Sequence, residues 1–472
     1  MIPAAELTDA ALAASKADGC MVLLSETSEA NLRWANSTMT TNGHSTTRSF
    51  SVISVLDGAG GPAVGTVSGN GTDLDEVYAV VAASEEAARQ SGPARDAAPL
   101  VEGTAVDDDF TAPGAVTEID VFSRLADELA AAFRTARSGG PDGGHLLYGF
   151  AEHRLETTWL ASSTGLRRRW VQPTGTVELN AKVTDDLTRS AWAGVYTADF
   201  TDVDLTALAA EVRRRLGWSQ QRVELPAGRY ETLLPPTAVA DLMIYMAWEM
   251  EGRQAHEGRS PFSAARDTSG DTSSGTRIGE QLTELPLTLS SDPSAGRMQT
   301  SPFLATTGSS DSVSVFDNGA AIRRVDWLRD GKINALAYPR GAAEEFGAEF
   351  TPPPENLLLT GGSAASVDDL VARTERGLLL TCLWYIREVD PASLLLTGLT
   401  RDGVYLVEDG AVVGQVNNFR FNESPIDLIR RVSDAGATER TLCREWKDWF
   451  TRTAMPALRV PDFNMSSVSQ AN

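Results

Sequence analysis

Four histidines are all the imidazoles this chain has: His44, His145, His153 and His256. A hydrolytic zinc centre needs two imidazoles on one helical face plus a third ligand, with one coordination position left open for water. HExxH and the longer HExxxH meet that need because both set their histidines about one helical turn apart. Here the only His-Glu pair is His256-Glu257, no histidine follows it, and Gly258 and Pro261 break a helix directly afterwards. The pair therefore reads as a solvated helix end. His145 and His153 flank one expected strand on the same face, too far apart to share an ion without a third element. Glu249, Glu251 and Glu257 form an acidic cluster that could hold a hard cation. Glu249 and Arg253 stand at i, i+4 spacing, so a surface ion pair accounts for them equally well.

Other catalytic signatures are missing. No G-x-S-x-G elbow occurs, and Cys382 sits in the apolar run Leu378-Leu379-Leu380-Thr381-Cys382-Leu383-Trp384, which reads as a buried strand with an inert thiol. Gly58-Ala59-Gly60-Gly61 has the glycines of a phosphate loop but no following Lys-Ser/Thr. Arg167-Arg168-Arg169 beside Trp170 could touch an anionic chain, yet on an alternating strand those side chains split between two faces.

The elements around these residues follow from hydrophobic period and turn chemistry. Residues 4–17 read as a helix, followed by short strands at Met21 to Ser25, Asn31 to Ala35 and Phe50 to Leu56, with turn signals at Thr41-Asn42-Gly43 and Asp57-Gly58. Amphipathic helices are expected from Asp73 to Gln90 and from Ile119 to Arg137, the second carrying Val121, Leu125, Leu129 and Phe133 at i, i+4 spacing. Residues 92–117 read as a loop. After Gly139-Gly140 the period changes to two, and four short antiparallel strands are expected at His145 to Glu152, Glu156 to Ala161, Leu166 to Gln172 and Thr176 to Val183. A helix from Leu205 to Leu216 ends in Arg213, Arg214 and Arg215, where cations suit the dipole.

Past a boundary near Gln220 to Arg229, Pro236 to Arg253 reads as one markedly apolar helix, and residues 258–276 as a mobile Gly/Ser/Thr-rich segment. Short strands separated by Asp-Gly, Asn-Gly and Pro-rich turns fill the remainder, interrupted by helices at Val367 to Arg376 and Asp427 to Asp434. The expected fold class is α+β. An N-terminal domain of antiparallel strands and helices spans 1–222, and a mainly β C-terminal domain spans 223–472 with a long apolar helix at its start.

Bulk composition narrows the partners. The formal net charge is −23, from 64 acidic and 41 basic residues, so phosphate backbones and anionic lipid are repelled and neither nucleic acid nor a membrane is an expected partner. No apolar run approaches the ~18 residues of a membrane span. The first residues offer no secretory signal, and the three cysteines, Cys20, Cys382 and Cys443, form no CxxC pair. A reducing cytoplasm is the expected location.

Several short stretches, in order, resemble the TldD/PmbA family of metalloproteases. Leu32-Arg33-Trp34-Ala35-Asn36-Ser37 is similar to an early strand of the family, and Ala161-Ser162-Ser163-Thr164-Gly165 to a turn between paired strands. Tyr230-Glu231-Thr232-Leu233-Leu234-Pro235-Pro236-Thr237-Ala238 resembles the entry into its C-terminal domain. Arg277-Ile278-Gly279-Glu280, Ser291-Asp292-Pro293, Phe316-Asp317-Asn318-Gly319 and the hairpin Gly403 to Gly410 continue the likeness over nearly the whole chain.

The resemblance implies a division of labour. TldD-type subunits carry HExxxH on the first long helix of the C-terminal domain, with a later cysteine completing a zinc site; TldE/PmbA-type subunits lack it and pair with TldD. In this chain the two histidine positions fall near Met243 and Trp248, which cannot bind hydrolytic zinc. Cys443, near the place of the cysteine ligand, is then a remnant or a coincidence. The likeness thus implies a non-catalytic TldE/PmbA-like subunit with no catalytic residue, metal or cofactor of its own. Its partner would be a TldD-type HExxxH subunit that holds the zinc, and its substrate an unfolded or leader peptide bound as an extended strand. Trp248, His256 and Arg259 are candidates to line the peptide chamber, with a packed core role the alternative for Trp248. Two other readings stay open: a stand-alone metallohydrolase using Glu249, Glu251, His256 and Glu257, and a homodimeric peptide-binding protein.

Overall fold

The computed structural model describes residues 2–71, 73–103, 106–138, 144–264 and 275–470. Its N-terminal part is a six-stranded antiparallel sheet with order β3-β2-β1-β4-β5-β6, built from β1 (Gly19–Ala35), β2 (Thr38–Leu56), β3 (Ala63–Gly69), β4 (His145–Ser162), β5 (Arg167–Val183) and β6 (Asp186–Thr197). Four of these strands run 17 to 19 residues, where the local pattern predicts pairs of short ones. Met21 to Ser25 and Asn31 to Ala35 are one strand, and the four expected strands between His145 and Val183 are two. Thr41-Asn42-Gly43 lies inside β2, because the chain reverses earlier, at Asn36 and Ser37. Both adopt the left-handed backbone (φ 52° and 55°) of a two-residue hairpin turn. Polar stretches interrupt the apolar alternation but not the ladder: those in the middles of β1 and β4 are paired on both sides by a neighbour, and those of β2 and β5 on one side.

Period-two alternation assigns the two faces. Cys20, Val22 and Leu24 of β1 pack with Trp159 and Ala161 of β4 under α1 (Ala4–Ala14) and α2 (Leu74–Gln90). Farther along the same face, Ala30, Leu32 and Trp34 meet α3 (Ser123–Ser138) and α4 (Leu205–Trp218). Met21, Leu23 and Leu160, on the opposite face, rest on Phe303, Val315 and Phe316 of the C-terminal part. The helices at Asp73 to Gln90, Ile119 to Arg137 and Leu205 to Leu216 stand close to where the sequence places them. The second begins with a 3-10 turn, Ile119–Phe122, and Asp73 and Asp204 cap α2 and α4 by accepting from Glu76 and Ala207 N–H groups. The Gly139-Gly140 signal and most of the 258–276 segment fall outside the described residues.

The C-terminal part is a mainly β assembly of fourteen strands among the described residues: β7 (Arg222–Val223), β8 (Gly228–Leu234), β9 (Thr288–Ser291), β10 (Val325–Arg329), β11 (Lys332–Ile333), β12 (Leu357–Thr360), β13 (Arg376–Leu380), β14 (Leu383–Asp390), β15 (Leu395–Thr400), β16 (Val404–Glu408), β17 (Ala411–Val416), β18 (Phe419–Glu423), β19 (Asp434–Thr441) and β20 (Thr453–Val468). The last of these is its hub, pairing with β8, β12, β18 and β19. Asp330-Gly331 and Asp409-Gly410 turn the β10–β11 and β16–β17 hairpins with both residues left-handed, as the Asp-Gly signal requires. The remaining helices are short: α5 (Pro236–Trp248), α6 (Gly252–His256), α7 (Arg340–Phe346), α8 (Val367–Ala372) and α9 (Pro425–Arg431).

The single long apolar helix expected from Pro236 to Arg253 is therefore two. Met250 and Glu251 lie between the two helices, where Glu251 bridges Ala337: the Ala337 N–H donates to Met250 O at 2.8 Å and the N–H of Gly252, the first residue of α6, to Ala337 O at 2.9 Å. A side chain at Gly252 would also collide with the Tyr338 ring, 2.1 Å from where a Cβ would stand. Local periodicity carries no trace of that strand-like partner. No helix among the described residues is long and apolar enough to cross a membrane.

Trp159 is fully buried and donates its indole N–H to Phe110 O at 3.0 Å, tying the 92–117 loop to β4. Trp159→Ala is expected to cost about 3–5 kcal/mol of stability, measurable as a lower urea midpoint.

Candidate functional site

The residues singled out by the resemblance converge on α5 and on the loop 443–450. Pro236 at the first helical position starts α5, and nearly every residue after it is apolar and buried, so the helix threads the main core and is covered on all sides. Met243 is wholly buried there. Its one acid, Asp241, is also wholly buried and holds the loop: its carboxylate accepts the backbone N–H groups of Glu445 at 2.9 Å, Arg444 at 3.2 Å and Trp446 at 3.4 Å. The Trp446 indole N–H returns a bond to Asp241 O at 3.1 Å. Burial outweighs those N–H donors and pushes the Asp241 carboxyl up to about 7.

From the other side the loop is clamped by the N-terminal sheet. Glu178, on the face of β5 turned away from the helices, accepts Lys447 at 3.0 Å and the Trp192 indole at 2.9 Å, with Arg444 at 3.6 Å. Cys443 is fully buried; its thiol donates to Phe450 O at 3.0 Å, and burial raises it well above the ordinary thiol range. The other two thiols behave alike, Cys20 pushed up to about 11 and Cys382 to about 12 by burial. None of them has thiolate character at neutral pH.

This donor set does not fit a zinc ion. Met243 is a core thioether, Asp241 is saturated by backbone donors, and the Cys443 thiol is committed to a carbonyl. Among the described residues no three His, Cys, Asp or Glu side chains stand together as metal ligands would. The ligand set Glu249, Glu251, His256 and Glu257 is dispersed. The His256 ring stacks on Phe346, with centroids 4.3 Å apart and planes at 3°. Glu257 is taken by Arg95 and Arg259, and Glu251 by Gln254. Arg253, expected opposite Glu249, instead meets Glu345 at 2.5 Å and lies over Phe346, because the break after α5 rotates it away. His145 is buried at the start of β4 and His153 in its middle; His153 bonds Thr117 Oγ1 at 2.6 Å and Ala198 O at 3.0 Å as a structural histidine.

Trp248 is 37% exposed and closes an aromatic corner with Tyr245 and Trp446, at centroid distances of 6.0 and 5.1 Å. Beside it Glu249 is pushed up to about 7, first by burial and then by Glu388 and Glu251. Arg259 bonds Glu257 at 3.0 Å and Asp311 at 3.3 Å. Of the three expected chamber residues, Trp248 stands with the aromatic corner, while His256 and Arg259 sit on α6 and just beyond it with separate partners. The roles of Asp241 and Glu178 were not visible in the sequence. Asp241 is an acid in an otherwise apolar helix, and that conflict of pattern was the available signal.

The chain belongs to the PmbA/TldA metallopeptidase family: the family's C-terminal domain matches residues 227–467, its domain 1 residues 20–88 and its central domain residues 113–220. The first and central domains thus contribute three strands each to one sheet. No curated protein matches the sequence. Among solved structures, TldE from Thermococcus kodakarensis is similar over 98% of this chain and 99% of its own, with a TM-score of 0.77 at 13% identity. A proposed modulator of DNA gyrase from Thermotoga maritima gives 0.75 at 16% identity, covering 98% and 99%. Another from Bacteroides thetaiotaomicron gives 0.74 at 15%, covering 98% and 97%. At such identities the likeness is one of fold.

Two outcomes are expected. Asp241→Ala leaves three buried N–H groups without an acceptor, which lowers stability by about 2–4 kcal/mol and opens the loop to trypsin at Arg444 and Lys447. Glu249 and Asp241 bind protons more tightly folded than unfolded, from ordinary values of 4.5 and 3.8 up to about 7. Their contribution is fully present below the unfolded values and is lost as pH rises toward 7. Urea midpoints should fall over that interval, and less steeply in Glu249→Gln.

Proposed function

We propose that this chain is a non-catalytic, TldE/PmbA-like subunit that pairs with a TldD-type HExxxH subunit in a zinc protease acting on unfolded or leader peptides. The observation that carries the reading is the fate of the metal position: buried Met243, a carbonyl-bonded Cys443 and an Asp241 saturated by the 444–446 backbone stand where a zinc cradle would need free donors. In this reading zinc and the attacking water belong to the partner, and this chain supplies chamber wall and strand edges for an extended peptide. Trp248, with the aromatic corner behind it, is the wall residue of choice, and His256 and Arg259 extend the wall along α6. A reducing cytoplasm suits three buried free cysteines.

Co-expression with a TldD-type subunit tests this. The two chains should co-purify, unfolded casein should be cleaved only by the mixture, and replacing the partner's histidines should abolish cleavage. Stoichiometric zinc and casein cleavage by this chain alone would overturn the reading.

A further inference from the structure

Only part of β2 is paired on both sides. Over residues 50–56 it lies between β1 and β3, and β3 ends at Gly69, opposite Phe50. Over residues 38–49 its one strand neighbour among the described residues is β1, and no turn or loop backbone bonds to it. The ladder with β1 is irregular at Thr40, since Trp34 opposes Met39 and Arg33 opposes Thr41; from Thr41 onward it is regular. Residues 38–47 are exposed on both faces of the sheet except Gly43, which is half-buried. Ala30, Leu32 and Trp34 of the adjoining β1 are buried. Packing therefore reaches β1 and leaves residues 41–49 as a bare rim about 30 Å long.

Such a rim presents N–H and C=O groups ready to pair with another strand, and proteins usually block it with charge, proline or a bulge. Residues 41–47 carry no Lys, Arg, Asp, Glu or Pro, and the irregularity at Thr40 lies at the hairpin end, outside the regular stretch. Thr41, Thr46 and Thr47 favour extended backbone. Charge selects the occupant. Residues 30–56 hold no acid, in a chain with 64 acidic residues and a net charge of −23. Two copies of so acidic a protein repel one another, and this rim adds nothing to that repulsion. Polar on both faces, it offers no apolar pocket to the side chains of a foreign strand. It is self-complementary instead.

We propose that residues 41–49 pair antiparallel with the same segment of a second copy of this chain, about a two-fold axis at Ser45, joining two N-terminal sheets into one. In that register Thr41 meets Ser49, Asn42 meets Arg48, Gly43 meets Thr47 and His44 meets Thr46, so no like charges are opposed. Each copy satisfies the outward backbone groups of the other, an isologous contact that closes at two chains. The inference goes beyond the two-subunit reading and needs neither the TldD-type partner nor zinc.

Sedimentation velocity of the full-length chain alone, over a range of concentrations, tests it, with a concentration-dependent dimer expected. Ser45 lies opposite Glu29 in the ladder, so Ser45→Glu sets two added carboxylates facing each other with Glu29 beside each. It should weaken the dimer several-fold, whereas Ser45→Gln should not, both with unchanged circular dichroism spectra. Ser45→Cys should cross-link two copies on mild oxidation, the native thiols of Cys20, Cys382 and Cys443 being buried. A monomer at every concentration, a dimer indifferent to Ser45→Glu, or no cross-link overturns the inference and leaves the two-subunit reading intact. Hydrogen-exchange protection of residues 38–49 that appears only with a TldD-type subunit also overturns it, by giving the rim to that partner.

Discussion

One buried carboxylate organises the centre of the C-terminal half. The lone pairs of Asp241 are met by the successive N–H groups of Arg444, Glu445 and Trp446. A buried acid tolerates such a place only when donors converge on it, so the loop and α5 have to form together. The loop then presents Lys447 and Arg444 outward to Glu178 on the N-terminal sheet. Helix, loop and sheet become one connected polar path through an otherwise apolar contact.

That path ties α5 to a distant loop without ligation. The two elements are joined by hydrogen bonds and by packing of Met243 and Cys443 in the common core. The fold shared with TldE of Thermococcus kodakarensis survives at 13% identity because it depends on burial pattern and ladder register, which many sequences satisfy.

Legibility in the sequence varied with the range of the interaction. The amphipathic helices α2, α3 and α4 were readable because their period and caps are local, and the Asp-Gly hairpins because left-handed backbone demands those residues. The long strands were not, since polar residues such as those from Glu26 to Glu29 look like a break until two neighbours pair with them. The helix break at Met250 to Gly252 depends on Ala337, more than eighty positions away, and Arg253 missed Glu249 for that reason. Of the site, the absence of paired histidines was plain, whereas the grip of Asp241 on residues 444–446 was not.

The amino-acid order by itself determined the alternation that gives each strand two faces, the starts and stops of the principal helices, and the lack of imidazoles one turn apart. Those are properties of neighbours along the chain, set by sterics, caps and period. Only the tertiary structure decided that Glu251 and His256 point to different partners and that Cys443 is spent on a carbonyl. Each of these depends on groups brought together across long stretches of chain, where burial and hydrogen-bond satisfaction govern and local propensity has no say.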